Sequence, residues 1–276
     1  MGAEILERSG VNPGEVALFI PPGLKKFKLE LFERIGRKIG RVVRHDHHQL
    51  DDLPDNIIPI VGCTPALRPQ IERWTRDGRK WIYWDRGYLR RVFATWLPKG
   101  IGIGVQMGYY RWHINRPQMG EVYEVPSDRW KSLKLDKEVR PWNKNGDHII
   151  VADTLPDYWN LFSDPEWTKR TVARLRQLTK RPIRVRDKES KVPLYNDLVN
   201  AHCLVAHGSI AAVESVVMGC PVFVEPLSAA ALVGSTNLDE VEKPKYPERM
   251  KWLHSLAYCQ FKEEELVDGT LWRLIR

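Results

Sequence analysis

No apolar run in this 276-residue chain approaches the roughly 18 residues that a membrane-crossing helix needs. Cysteine is scarce: Cys63, Cys203, Cys220 and Cys259 form no C-x-x-C pair and lie mostly in apolar stretches. They read as reduced core residues, and no structural zinc is expected. The first residues, M-G-A-E-I-L-E-R-S-G, lack a basic-then-apolar leader, so the expectation is a soluble, cytoplasmic protein.

What the chain does contain excludes intrinsic disorder: 43% hydrophobic and 10% aromatic residues, 11 of them Trp. The length allows one large α/β domain or two small ones, each able to bury a core. The net charge of +8 favours an anionic partner, whether nucleotide, nucleic acid or phospholipid surface, unless it serves solubility alone.

Residues 16–20 are a buried-strand run, followed by a Pro21-Pro22-Gly23 loop and helical apolar spacing over 24–39. Short strands at 41–44, 57–61 and 80–84, with a helix reaching about 77, complete a parallel Rossmann-like pattern. His45-Asp46-His47-His48 is metal-like in composition, but neighbours on an extended chain point to opposite faces and rarely converge on one ion. Asp46 can still face a cleft, as the second candidate for a general base after Asp85. Asp85 closes the fourth strand, where open α/β sheets place ligands, and is a candidate general base; an ion pair with Arg86 or Arg90 is the competing role. Tyr110, Arg111 and Trp112, with Arg86, combine rings and cations suited to holding an acceptor, although 109–115 also fits an amphipathic strand with one wet face. Periodicity weakens over 121–147, which places a domain boundary near Gly146: residues 1–146 form one lobe and 147–276 the other.

Beyond the boundary come a buried strand at 148–152, a loop at Asp153-Thr154, a basic helix over 165–178, and a strand over 181–188 with Arg184 and Arg186 on one face. The centre of the pattern is A-H-C-L-V-A-H-G-S-I-A-A-V-E-S-V-V-M-G-C-P-V-F-V-E-P, a strand, a tight turn at His207-Gly208-Ser209, a helix over 210–218 and the next strand. Gly208 would let backbone approach a ligand, the amides of Ser209 and Ile210 would meet a phosphate, and Glu214 falls one turn into the helix.

This segment resembles the nucleotide-binding segment of GT-B glycosyltransferases; sugar-nucleotide 2-epimerases share a similar one. The resemblance implies two Rossmann-like lobes facing a cleft. A nucleoside-diphosphate sugar, UDP-linked for preference, would be held by His207, Gly208, Ser209, Ile210 and Glu214. Arg186 and Lys188 are candidates to clamp the diphosphate, although the His-Pro pair common there is missing. It also implies metal-independent transfer, in keeping with a chain that has no D-x-D motif. Trp252-Leu253, Leu256-Ala257, Gln260 and Trp272 resemble the C-terminal segment of phage and bacterial proteins grouped with glycosyltransferases, and their apolar neighbours suggest a closing helix. With the basic charge, that favours a hydroxymethylated pyrimidine in phage DNA as acceptor. The alternatives are a cell-envelope or capsule glycosyltransferase, an epimerase, and a non-catalytic DNA-binding protein.

Overall fold

The computed structural model describes residues 11–20, 26–40, 42–44, 53–90, 94–95, 104–105, 108–154, 156–163, 165–187, 190 and 192–276. Two compact units result: residues 1–117 with 258–276, and residues 118–257. The division therefore falls at 117/118 and again at 257/258, not at Gly146. Residues 118–146 carry too few apolar periodicities to declare an owner, yet they are tied into the second unit. Arg140 donates its amide to Val217 O at 2.9 Å and Asn143 donates its own to Gly219 O at 2.7 Å.

The first unit begins with β1 (Val16–Ile20), α1 (Lys26–Ile39), β2 (Val42–Arg44), β3 (Ile58–Val61), α2 (Arg68–Arg76) and β4 (Ile82–Arg86). β5 (Ala94–Thr95) and β6 (Gly104–Val105) make a separate two-stranded pair, and β7 (Tyr110–Ile114) returns to the main sheet. β1, β3 and β4 are buried nearly throughout, as continuous Val/Ile runs require when a parallel sheet is covered on both faces. Alternate residues such as Leu18, Ile60, Ile82, Trp84 and Trp112 join Ile35 and Ile39 of α1 in one core.

The second unit holds α3 (Asp128–Leu133), β8 (His148–Ala152), α4 (Pro156–Phe162), α5 (Trp167–Leu178), β9 (Ile183–Arg186), α6 (Leu194–Leu198), β10 (Ala201–Ala206), α7 (Ala211–Val217) and β11 (Val222–Val224). Its four strands are all parallel, in the order β11-β10-β8-β9. β8, β10 and β11 are fully buried, whereas β9 lies at the edge with Val185 53% exposed. α7 ends because Gly219 takes a φ of 79°. Its amide donates to Val216 O at 3.1 Å and that of Cys220 to Ser215 O at 2.9 Å, the paired bonds of a Schellman stop.

The last segment is not one closing helix. α8 (Met250–Tyr258) leads to β12 (Gln260–Phe261), α9 (Glu264–Val267) and α10 (Thr270–Leu274). β12 pairs antiparallel with β7, which pairs antiparallel with β4, giving the first sheet the order β12-β7-β4-β3-β1-β2. Phe261, Leu266 and Leu271 enter the core of the first unit. Glu263 anchors the return, accepting from Arg34 Nη2 at 2.8 Å. No described helix is long and apolar enough to cross a membrane.

Candidate functional site

In the second sheet the chain passes from β8 outward to β9, then crosses back to β10 on the other side of β8. The direction of winding reverses between β8 and β10, so their carboxyl ends diverge and leave the crevice in which open α/β sheets take ligands. Asp153 and Thr154 follow β8 there, and His207 to Ile210 follow β10.

The His207 turn is built by packing. His207 is buried, and its ring stands edge-on to Tyr158, Trp159 and Trp167 at centroid distances of 5.8, 5.2 and 5.7 Å. Trp159 and Trp167 stack on each other at 5.3 Å, and Trp167 Nε1 donates to Glu225 Oε1 at 2.8 Å. The imidazole thus forms part of the wall of the site. Gly208 also has a reason other than ligand approach: a Cβ there would lie 2.0 Å from the Tyr158 hydroxyl oxygen. Gln118, fully buried, donates from Nε2 to Gly208 O at 2.5 Å and accepts from Ala229 N at 2.9 Å, which fixes the turn. Ser209 Oγ accepts from Ala211 N at 3.3 Å, a local side-chain-to-backbone bond in the turn leading into α7. The Ser209 and Ile210 amides form no backbone hydrogen bond among the described residues. Glu214 lies on α7, half-buried.

Arg186 is turned away. Side chains alternate along β9, and it is Val185 and Asp187 that line the groove at this edge. Arg186 occupies the other face, ion-paired with Asp197 of α6 and donating to Val192 O at 2.6 Å. Lys188 lies outside the described residues, as does Asp46 with its neighbouring histidines.

The first unit changes the roles expected of its candidates. Arg111 is 3% exposed and donates from Nη2 to Asp85 Oδ2 at 2.7 Å, from Nη1 to Arg86 O at 2.5 Å and from Nε to Pro117 O at 3.2 Å. Its guanidinium carbon sits 5.7 Å from the rings of both Tyr83 and Tyr88. Asp85 also accepts from Arg86 N at 2.7 Å and from the Tyr83 hydroxyl at 3.3 Å. The Asp85 carboxylate is thus engaged as the counter-ion of a buried guanidinium. The partner is Arg111, neither Arg86 nor Arg90. Tyr110 and Trp112 are buried on a strand with no wet face, and Trp112 stacks on Trp84 at 5.6 Å; they are core, not acceptor contacts. Arg86 alone of that group is exposed.

Sequence reasoning missed the groove of about 910 Å³ formed by Asp153, Thr168, Lys169, Arg176 and Asp187 with apolar neighbours. The signals were present: two acids directly following strands, and Lys169, Val172, Ala173 and Arg176 at one-face helical spacing. Gln118 gave none, because its partners lie 90 and 111 residues away.

No family model matches the sequence, and no curated protein matches it. Among solved structures, the chain is similar to the beta Kdo 2,7 transferase of Thermosulfurimonas dismutans KpsC, with a TM-score of 0.52 at 12% identity over 93% of this chain and 99% of that one. It is similar also to the beta Kdo 2,4 transferase of the same KpsC, with a TM-score of 0.50 at 10% identity over 95% and 99%. Likeness at such identity concerns the fold, which is GT-B-like α/β.

Proposed function

We propose that this chain is a glycosyltransferase that takes a nucleotide-activated sugar at the carboxyl edge of its second sheet and passes the sugar to a saccharide acceptor. The observation that carries the reading is the position of the 207–210 turn at the switch point between β8 and β10. On this reading the Ser209 and Ile210 amides receive the charge that develops on the departing phosphate, and Glu214 accepts hydrogen bonds from the nucleotide ribose. Donors already fixed by the fold need no reorganisation when the glycosidic bond to phosphate breaks. Gln118 and the Tyr158, Trp159 and Trp167 rings supply that fixity.

The saccharide acceptor is preferred to DNA because both structural neighbours are named as sugar transferases of the Kdo type. The phage-DNA alternative rests on the net charge of +8 and on the resemblance of the C-terminal segment. Incubation with a panel of nucleotide-sugars, offering oligosaccharides in one arm and duplex DNA containing hydroxymethylcytosine or hydroxymethyluracil in the other, separates them by mass spectrometry. A sugar-sized increment on an oligosaccharide is expected. An increment on the nucleoside would select DNA, and failure of both arms with every donor left intact would reject sugar transfer.

A further inference from the structure

The second sheet ends at β9, and along that edge no described strand pairs with it. The ladder on its inner side fixes which main-chain groups stay open. Ile149 N donates to Pro182 O at 2.8 Å and Asp153 N to Arg186 O at 3.0 Å, so the even-numbered residues of β9 turn their main-chain groups towards β8. Ile183 and Val185, by alternation, turn theirs outward, about 6.6 Å apart along the strand. No described main-chain group bonds to them there. Such an edge is a template for another strand. Val185, 53% exposed, stands on one face of β9, and Arg184 stands on the opposite face with Arg186. Arg186 already has Asp197. Arg184 is exposed and forms no ion pair with a described carboxylate; its polar contact is to His148 Nε2 at 3.4 Å.

We propose that this edge takes an extended segment of a partner protein as a further, antiparallel strand, one in which an acidic residue stands between two apolar ones. The outward groups of Ile183 and Val185 form the hydrogen-bonded pairs with the two apolar residues, whose side chains fall on the Val185 face. The acid then lies across from Arg184 in the non-hydrogen-bonded pair, where opposed side chains come closest. A second copy of this chain is a poor occupant. Antiparallel pairing through Ile183 and Val185 always sets even-numbered residue against even-numbered residue, which places Arg184 across from proline or a basic residue and never from a carboxylate. A phosphate polymer or an anionic lipid surface would meet Arg184 but leave the outward N–H and C=O groups unused. Those groups lie in the plane of the sheet and bind no nucleotide, so the inference stands whether or not the sugar-transfer reading holds.

Amide hydrogen exchange and calorimetry on the full chain test it with three capped peptides: Ser-Thr-Val-Glu-Val-Thr-Ser, the same peptide with Lys for Glu, and the Glu peptide N-methylated at both Val amides. At millimolar Glu peptide the Ile183 and Val185 amides are expected to exchange at least about tenfold more slowly, whereas those of Arg184 and Arg186, already bonded to β8, should not change. The Glu peptide should bind about fivefold more tightly than the Lys peptide at low salt, and at least about tenfold more tightly than the methylated one. Arg184→Glu should reverse the preference between Glu and Lys. Val185→Pro, which removes an outward N–H and spares the bonds to β8, should lose most of the Glu peptide's affinity. Four outcomes would overturn the proposal: no protection of the two amides, equal binding of the Glu and Lys peptides, equal binding of the methylated peptide, or a dimer of the parent that Val185→Pro dissociates.

Discussion

Arg111 Nη2 and Asp85 Oδ2 lie 2.7 Å apart, and the arginine is 3% exposed while the aspartate side chain is 35% exposed. The pair joins β7 to the end of β4 and turns the most base-like residue of the first unit into a counter-ion.

Asp85→Asn is therefore expected to act on stability. It leaves a buried guanidinium with two carbonyl acceptors and no compensating charge, at a cost on the order of 2 kcal/mol. Urea denaturation reads this as a lower midpoint at constant slope. A variant with parental stability and transfer slowed a hundredfold or more would restore Asp85 as the base.

His113, also on β7, is buried and bonded through Nε2 to the Tyr88 hydroxyl at 2.7 Å. Burial, reinforced by Arg111, holds its pKa well below the ordinary 6.5, so the folded protein keeps it neutral. Below pH 6.5 the unfolded chain binds a proton that the folded one refuses, so the stability present above 6.5 is lost as pH falls, by at most about 1.4 kcal/mol per pH unit. His113→Gln is expected to flatten unfolding free energy between pH 6.5 and 5 by that amount. An identical pH slope in the two proteins would contradict it.

Gly208→Ala tests whether the turn is shaped by packing. The new methyl group meets the Tyr158 hydroxyl oxygen at 2.0 Å and its Cζ at 2.7 Å. Overpacking of this kind costs about 1–3 kcal/mol. Adding Tyr158→Ala should recover part of the loss that Gly208→Ala causes in a Tyr158→Ala background comparison, a coupling visible in a double-mutant cycle. Additive effects would show that the glycine serves something other than this contact.

The parts of the fold that local chemistry decides were legible in the sequence. β1, β3, β8 and β10 are apolar runs bounded by Gly, Pro or Asp, and the stop at Gly219 follows from its left-handed φ. The site was legible only as far as the turn. Arg111 looked like a ligand contact because charge on a strand suggests a wet face; its burial depends on Asp85 and the carbonyls of Arg86 and Pro117, which lie 26, 25 and 6 residues away. Arg186 pairs with Asp197, a partner the sequence does not announce because alternation fixes two faces without saying which one meets the groove. Residues 258–276 join β7 through register and core contacts with no sequence motif.

The claim at the centre of this account is that the 207–214 segment holds a nucleotide, and calorimetric titration of nucleoside mono- and diphosphates into the parent protein and Glu214→Ala tests it most directly. The account predicts that at least one nucleotide binds the parent. Removing a charge-assisted acceptor one turn into α7 should weaken that nucleotide by about 1.5–3 kcal/mol, roughly 10- to 150-fold, in a protein that still melts at the parental temperature. A folded Glu214→Ala that binds as tightly as the parent, or a parent that binds no nucleotide of the panel, would contradict it.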